Sequence, residues 1–447
     1  MIAQLHKMKK INIPKDVNYI IETLQSNGFE AFMVGGCVRD ELLNKKPNDY
    51  DICTSAKPEE IKKIFPKTID TGIAHGTVTV RLNSTNYEVT TYRIDGDYLD
   101  NRHPSSVSFT SSLKEDLARR DFTINAMAYS SKTGLIDFFN GQEDLKNGII
   151  RAVGEPSQRF DEDALRILRA VRFSAQLGFK LDENTAQACK NKAPLLKNIS
   201  QERIRDELFK ICLSDNVNKL VDCYELSITK VVFPEFDTMM ETTQENPHHI
   251  YTVGIHTIKT MENLPKDLTL RLAGLFHDIG KPACKTMEDG SAHFYNHPVV
   301  GAKLCETILE GFHTSKKLIS DVSFLVLHHQ DQFPPVLKSV RRGVFKIGLD
   351  MFPSYLALQR ADCLAQSDLS KDYLKTIDEI EKLYLEIKKQ NECLSLKDLK
   401  INGYDLINLG YKGKEIGTIL SNALKYVIDN PNSNDKQTLL NKIDTFL

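Results

Sequence analysis

The string Asn48-Asp49-Tyr50-Asp51-Ile52 sets two carboxylates two residues apart. In an extended strand that spacing sends Asp49 and Asp51 to one face, with Tyr50 and Ile52 turned to the other. Like charges on one face repel unless a cation or hydrogen-bond donors sit between them. Magnesium takes carboxylate oxygens and keeps substrate phosphates in its shell. A paired-metal site of this kind activates an attacking hydroxyl and stabilises a leaving pyrophosphate. Glu88, in the run 87–92, is placed to add a third carboxylate from a neighbouring strand. A surface strand with alternating acids has the same pattern, so the surroundings carry the weight. Upstream, Gly35-Gly36 ends the apolar run Ala31–Val34 and precedes Arg39 at a helix start, where backbone N–H groups can approach an anion closely.

Further on, Arg119-Arg120-Asp121-Phe122-Thr123-Ile124-Asn125-Ala126 sets two adjacent guanidinium groups beside Asp121 and Asn125. Paired guanidiniums suit a triphosphate, and Asp121 or Asn125 is suited to bond a ribose hydroxyl. In Glu162-Asp163-Ala164-Leu165-Arg166, Asp163 and Arg166 stand at i and i+3 on one helix face. They offer acceptors and a rigid donor fork that match the edge of a base; the alternative is a plain intrahelical pair worth ~0.2–0.5 kcal/mol. Glu162 is set to brace Arg166, its i+4 neighbour. Arg166, Arg169 and Arg172 recur every three residues and Lys190, Lys192 and Lys197 follow, either an RNA-phosphate surface or a solvated face.

These motifs, in this order, resemble the bacterial and eukaryotic class of CCA-adding enzymes and poly(A) polymerases within the DNA polymerase beta superfamily. Asp95-Gly96-Asp97-Tyr98 with Arg102-His103-Pro104 looks like that family's flexible-loop motif, and residues 202–208 look like its next helix, which braces the base-reading one. The resemblance implies an enzyme that adds C, C and A to the tRNA 3′ end from CTP and ATP without a nucleic-acid template. It implies magnesium at Asp49 and Asp51, with Glu88 in the catalytic set. Gly35, Gly36, Arg39, Arg119, Arg120, Asp121, Asn125 and Arg169 then bind the nucleotide, while Asp163 and Arg166 select the base. A poly(A) polymerase, or an enzyme that adds only CC or only A, shares every one of these motifs. A non-catalytic RNA-binding protein would be expected to have lost Asp49 or Asp51, and both are present.

His277-Asp278-Ile279-Gly280-Lys281, with His256 upstream and Asp362 downstream, resembles the HD superfamily of metal-dependent phosphohydrolases. Imidazole and carboxylate suit a divalent transition metal that activates water. The resemblance implies His297 and His328 as the extra ligands of a two-metal version; His329 competes with His328, and the spacing does not choose. An RNA-end phosphohydrolase working through this second site is therefore the rival from another class, and a retained helical scaffold with packed histidines is the bland alternative.

The elements that must hold these groups change character along the chain. Short β-branched or alternating runs at Ala31–Val34, 50–53, Thr77–Leu82 and 87–92 give way, from Asp161 onward, to nearly uninterrupted helical spacing. The expected fold is α+β: a polymerase-beta-like head with a mixed five-stranded sheet at 14–147, then a helical neck at 148–223, an HD-type body at 224–370 and a helical tail at 371–447. At 447 residues the chain is long enough for several domains. The formal net charge of −2 gives no global basic field, so RNA contact must come from local patches. Nine scattered cysteines without a CxxC pair argue for a reducing compartment. With no apolar stretch near the ~20 residues of a membrane helix, the expected location is cytoplasmic with no membrane partner; oligomeric state has no signature in the sequence.

Overall fold

The computed structural model describes residues 11–96 and 106–447. Asp97, Tyr98, Arg102, His103 and Pro104 of the loop motif lie outside the described residues. The chain divides into two compact units, Met1–Pro234 and Glu235–Leu447.

The first unit opens with α1 (Lys15–Ser26), whose Val17, Ile20, Ile21 and Leu24 recur at helical spacing and are buried. Removing each from water contributes about 1.5–3 kcal/mol. β1 (Ala31–Val34) follows, then α2 (Gly36–Leu42), β2 (Asp51–Thr54) and α3 (Pro58–Ile64). The strands β3 (Thr68–Gly72), β4 (Thr77–Leu82) and β5 (Thr85–Thr91) come next, then a separate hairpin of β6 (Arg93–Asp95) and β7 (Val107–Phe109). After α4 (Leu113–Ala118), β8 (Met127–Ser130) and β9 (Gly134–Asp137) complete the main sheet.

Its order is β3-β4-β5-β2-β1-β8-β9, seven strands where five were expected. The sheet is mixed, because β2 runs parallel to β5 while β1 is antiparallel to both β2 and β8. Both outer strands, β3 and β9, expose or half-expose all their residues. They lack the alternation that marks a half-buried strand, which is why they are faint in the sequence. Phe32, Val34, Cys53, Tyr92, Leu117 and Ala128 form a core on one side of the sheet and leave the functional residues at its rim.

Helices then take over: α5 (Gly141–Asn147), α6 (Pro156–Glu162), α7 (Leu165–Leu177), α8 (Glu183–Lys192) and α9 (Gln201–Cys212). The second unit is helical apart from the hairpin Lys285–Glu288 with Ser291–Phe294. Its helices Val253–Glu262, Leu268–Phe276, His297–Gly311, Lys316–His328 and Phe352–Leu364 bring together the histidines and acids of the second motif set. Among the described residues no helix is long and apolar enough to cross a membrane.

Candidate active site and candidate metal centre

In the first unit the turn from β1 to α2 rests on Gly35, whose φ of 84° favours glycine. Its N–H donates to the carbonyl of Met127 at 3.2 Å. A Cβ built there would stand 3.1 Å from Arg120 Nη1 and 4.0 Å from Asp51 Oδ2. The glycine turn, the acidic pair and the arginine pair, distant in sequence, therefore converge on one spot.

Asp51 opens β2, whereas Asp49 lies in the loop just before it, so the two do not share a strand as the spacing predicts. Because Ile52 pairs with Val89, Asp51 and Glu88 precede that pair on adjacent parallel strands. Lost hydration, together with the charges of Asp49 and Glu88, holds the Asp51 carboxyl above its usual range, and Arg120 opposes this. Three acids acting on one another at the rim fit a divalent cation by charge and by donor type.

Arg119 and Arg120 are not free for ligand alone. Both reach Asp116, which is fully buried: Arg119 Nη2 donates to Oδ1 at 2.7 Å and Arg120 Nη2 to Oδ2 at 3.4 Å. Burial would raise the Asp116 carboxyl, but the two guanidiniums win and hold it below the usual range. Asp116 was missed in the sequence, although its i+3 and i+4 spacing to the arginine pair is visible there.

Asp121 and Asn125 are committed to the protein as well. Asn125 Nδ2 donates to Asp121 Oδ1 at 3.1 Å, and Arg39 Nη1 donates to Asn125 Oδ1 at 2.7 Å. Arg169, on α7, donates to Asp121 Oδ2 from Nε at 3.0 Å. Despite burial, Arg169 and Asn125 keep the Asp121 carboxyl far below its ordinary value. A continuous polar chain thus joins the glycine-turn helix to the helix that carries the base-reading motif.

That motif is built differently from a single helix. Asp163 sits between α6 and α7 in extended backbone, at φ −134° and ψ 102°. Its Oδ1 accepts the N–H of Leu165 at 3.1 Å, and its Oδ2 takes Arg203 of α9 at 3.1 Å. Arg166 is anchored as expected by Glu162, at 2.6 Å, and also donates to the carbonyls of Arg159 at 3.1 Å and Arg119 at 2.9 Å. Arg172 pairs with buried Glu207 at 2.7 Å and stacks on Phe173, 3.9 Å from the ring centre. Arg166, Arg169 and Arg172 therefore turn inward and do not form an RNA-facing stripe; Lys190 and Lys197 are exposed, and Lys192 reaches Asp161.

In the second unit Asp278 is the hub. Its Oδ2 lies 3.2 Å from His277 Nε2 and 3.5 Å from His256 Nε2; its Oδ1 lies 3.3 Å from His297 Nε2 and 3.7 Å from His329 Nε2. Asp362 Oδ1 stands 2.9 Å from His256 Nε2. The ring nitrogens on the far side face backbone carbonyls, at Gly274 for His277, Phe294 for His297 and Val326 for His329. Those bonds put the proton on Nδ1 and turn the Nε2 lone pairs inward. Yet His256 and His277 Nε2 lie 3.3 Å apart, as do those of His297 and His329. Facing lone pairs at that distance call for a shared cation. Two three-residue groups of metal-ligand spacing result, His256-His277-Asp278 and Asp278-His297-His329, and among the described residues no third such group occurs.

His329, not His328, faces this centre. His328 Nδ1 instead contacts Asp331 Oδ2 at 2.7 Å. Lys281, unassigned by the sequence reading, lies 2.8 Å from Asp278 Oδ2 and donates to Gln244 at 2.8 Å. His249, also missed, stacks edge-on to His256 at 5.3 Å, and burial with Lys281 nearby pushes it down to about 3. Gly280 allows the loop to lie against the next helix: a Cβ there would meet the His297 carbonyl at 2.3 Å.

Residues 31–151 match the Poly A polymerase head domain, residues 178–240 the probable RNA and SrmB- binding site of polymerase A, and residues 299–443 a putative tRNA nucleotidyltransferase domain 2. The CCA-adding enzyme of Lactobacillus helveticus is 48% identical over 238 residues, 53% of this chain and 60% of that protein. That of a Geobacillus species is 55% identical over 192 residues, 43% of this chain and 48% of the relative. The chain thus spans about half to three-fifths of the length of these curated relatives. In three dimensions it is similar to the Bacillus stearothermophilus CCA-adding enzyme solved with CTP, with a TM-score of 0.72, 29% identity and 96% of each chain covered. The Thermotoga maritima CCA-adding enzyme complexed with tRNA shares the fold at a TM-score of 0.61 and 23% identity. With head, RNA-binding and second-domain matches in order along one continuous fold, the chain belongs to the tRNA nucleotidyltransferase family.

Proposed function

We propose that this chain adds C, C and A to the 3′ end of tRNA from CTP and ATP. The observation that carries the reading is the convergence of Gly35, Asp51 and Arg120 on one spot, linked through Arg39, Asn125, Asp121 and Arg169 to the helix bearing Arg166. Asp49 and Asp51, with Glu88 beside them, hold magnesium, which lowers the charge barrier between the tRNA hydroxyl and the triphosphate. Arg120 and Arg39 steady the phosphates. The terminal hydroxyl bonds to the α-phosphorus and pyrophosphate leaves. Asp163 and Arg166, clamped by Arg203 and Glu162, present a fixed acceptor and donor to the incoming base. The similarity to an enzyme solved with CTP supports the nucleotide assignment. Labelled CTP and ATP supplied to tRNA transcripts lacking the end test it: incorporation that needs magnesium and is abolished by Asp49→Ala supports the reading, and incorporation by that variant defeats it.

A second activity rests on the facing Nε2 pairs around Asp278. The second unit carries an HD-type centre for a divalent transition metal, held by His256, His277, Asp278, His297, His329 and Asp362, that hydrolyses a phosphoester. A bound metal there supplies an activated water. Hydrolysis of bis(p-nitrophenyl) phosphate with manganese, nickel or cobalt, and its loss in His277→Ala, checks this reading; no hydrolysis with any of them contradicts it.

A further inference from the structure

A cavity of about 490 Å³ opens beside the His–Asp centre, which it shares through His329 and Asp362. Its volume is in the range of small-molecule sites. The rest of its wall is neutral and rich in amides: Gln330, Gln332, Gln359 and Gln366, joined by Ser370 and Tyr373. No lysine or arginine lines it.

Two groups in this wall lack a partner among the described residues, Gln359 Oε1 and Tyr373 Oη. Gln359 is 6% exposed, and its amide orientation is fixed because Nε2 donates to the carbonyls of His329 at 3.1 Å and Asp331 at 2.6 Å. Its carbonyl end is thus an oriented acceptor with nothing to accept, a costly arrangement inside a protein unless a ligand completes it.

The chemistry of the wall narrows the ligand. A di- or triphosphate requires cations along its length, and none line the cavity. An apolar ligand would leave four amides and a phenol unsatisfied. A nucleoside presents ring donors, acceptors and hydroxyls in a body of suitable size, and amides pair with either kind of edge. We infer that the cavity seats the nucleoside of a nucleotide carrying a single phosphoester, with its phosphate at the His–Asp centre. This inference rests on the phosphohydrolase reading of that centre.

The test uses the full-length chain loaded with manganese, saturated with CTP to fill the head, and titrated by calorimetry with adenosine 3′-monophosphate and with inorganic phosphate. Only binding that His277→Ala removes is counted. The nucleotide is expected to bind at least about tenfold tighter than phosphate, as two or three net hydrogen bonds would give. Tyr373→Phe combined with Gln330→Ala is expected to shrink that preference to about threefold or less, leaving phosphate affinity within about twofold. Equal affinities in the unmodified protein that does bind manganese and phosphate overturn the inference alone. Failure to bind either manganese or phosphate at the centre overturns the phosphohydrolase reading, and the inference with it.

Discussion

Arg169 on α7 clasps Asp121 of the head motif, donating to one carboxylate oxygen from both Nε and Nη2, at 3.0 and 2.5 Å. The other oxygen takes the backbone N–H of Phe122 and the Asn125 amide. Asp121 is therefore a strut between the nucleotide-binding turn and the base-reading helix. Its oxygens are occupied before any ribose arrives. Arg169→Ala or Asp121→Asn is expected to cost roughly 1–3 kcal/mol of stability, the range for hydrogen bonds to charged groups. Their double variant should cost little more than the worse single one, because the two residues form one unit. Urea unfolding of the four proteins measures this; full additivity would mean the pair is not coupled.

Selection of the base depends on Asp163, which is held at the break between α6 and α7 by Arg203. Arg203→Ala frees that carboxylate without removing it. The expected outcome is a rise of about tenfold in UTP and GTP incorporation relative to CTP and ATP, about 1.4 kcal/mol of lost discrimination. Single-turnover competition assays read the ratio directly. An unchanged ratio would make Arg203 a packing residue only.

Asp116 makes a prediction about acid. Its carboxyl, lowered by Arg119 and Arg120, contributes stability that is fully present above its unfolded value and lost as pH falls through the lower folded value. The loss therefore belongs below about pH 4, the unperturbed carboxylate range. Asp116→Asn should be less stable than the parent at pH 7, and the gap should narrow as the parent is acidified. A gap that is constant from pH 7 to pH 3 contradicts the ion-pair account.

Gly35 cannot carry a side chain cheaply. At φ 84°, with Arg120 Nη1 only 3.1 Å from where a Cβ would sit, Gly35→Ala is expected to cost about 1–2 kcal/mol. It should also displace Arg120 from Asp51, so nucleotide incorporation should fall by more than the stability loss explains. Thermal melts alongside initial rates separate the two effects.

The choice between two adjacent histidines is equally accessible. His329→Ala should lower the metal bound in the second unit, whereas His328→Ala, which loses only a contact to Asp331, should leave it unchanged. Metal analysis after dialysis against a trace chelator reports both; the reverse pattern would refute the geometry.

These residues also mark what the sequence can and cannot reveal. β1 and β4 match the apolar runs residue for residue, because their buried β-branched and apolar side chains are themselves the signal. The edge strands β3 and β9 carry little such burial, so they leave almost no pattern. The break at Asp163 is invisible because Glu162, Asp163 and Ala164 are all compatible with a helix; Arg203 and the Arg119 carbonyl, distant in sequence, fix it. The same distance hid the true partners of Arg166, Arg169 and Arg172, whose regular spacing suggests a solvent-facing stripe. Adjacent residues such as His328 and His329 differ by about 100° around a helix, and only tertiary packing says which side is inward. Residue types announce the chemistry, whereas long-range pairing decides which side chains are held in place to perform it.

The central claim is tested most directly by sequencing the 3′ ends of tRNA transcripts that stop at the discriminator base, after incubation with magnesium and all four nucleoside triphosphates. The account predicts ends that read C, then CC, then CCA and stop there. Tails of repeated A, or ends halted at CC, would contradict it.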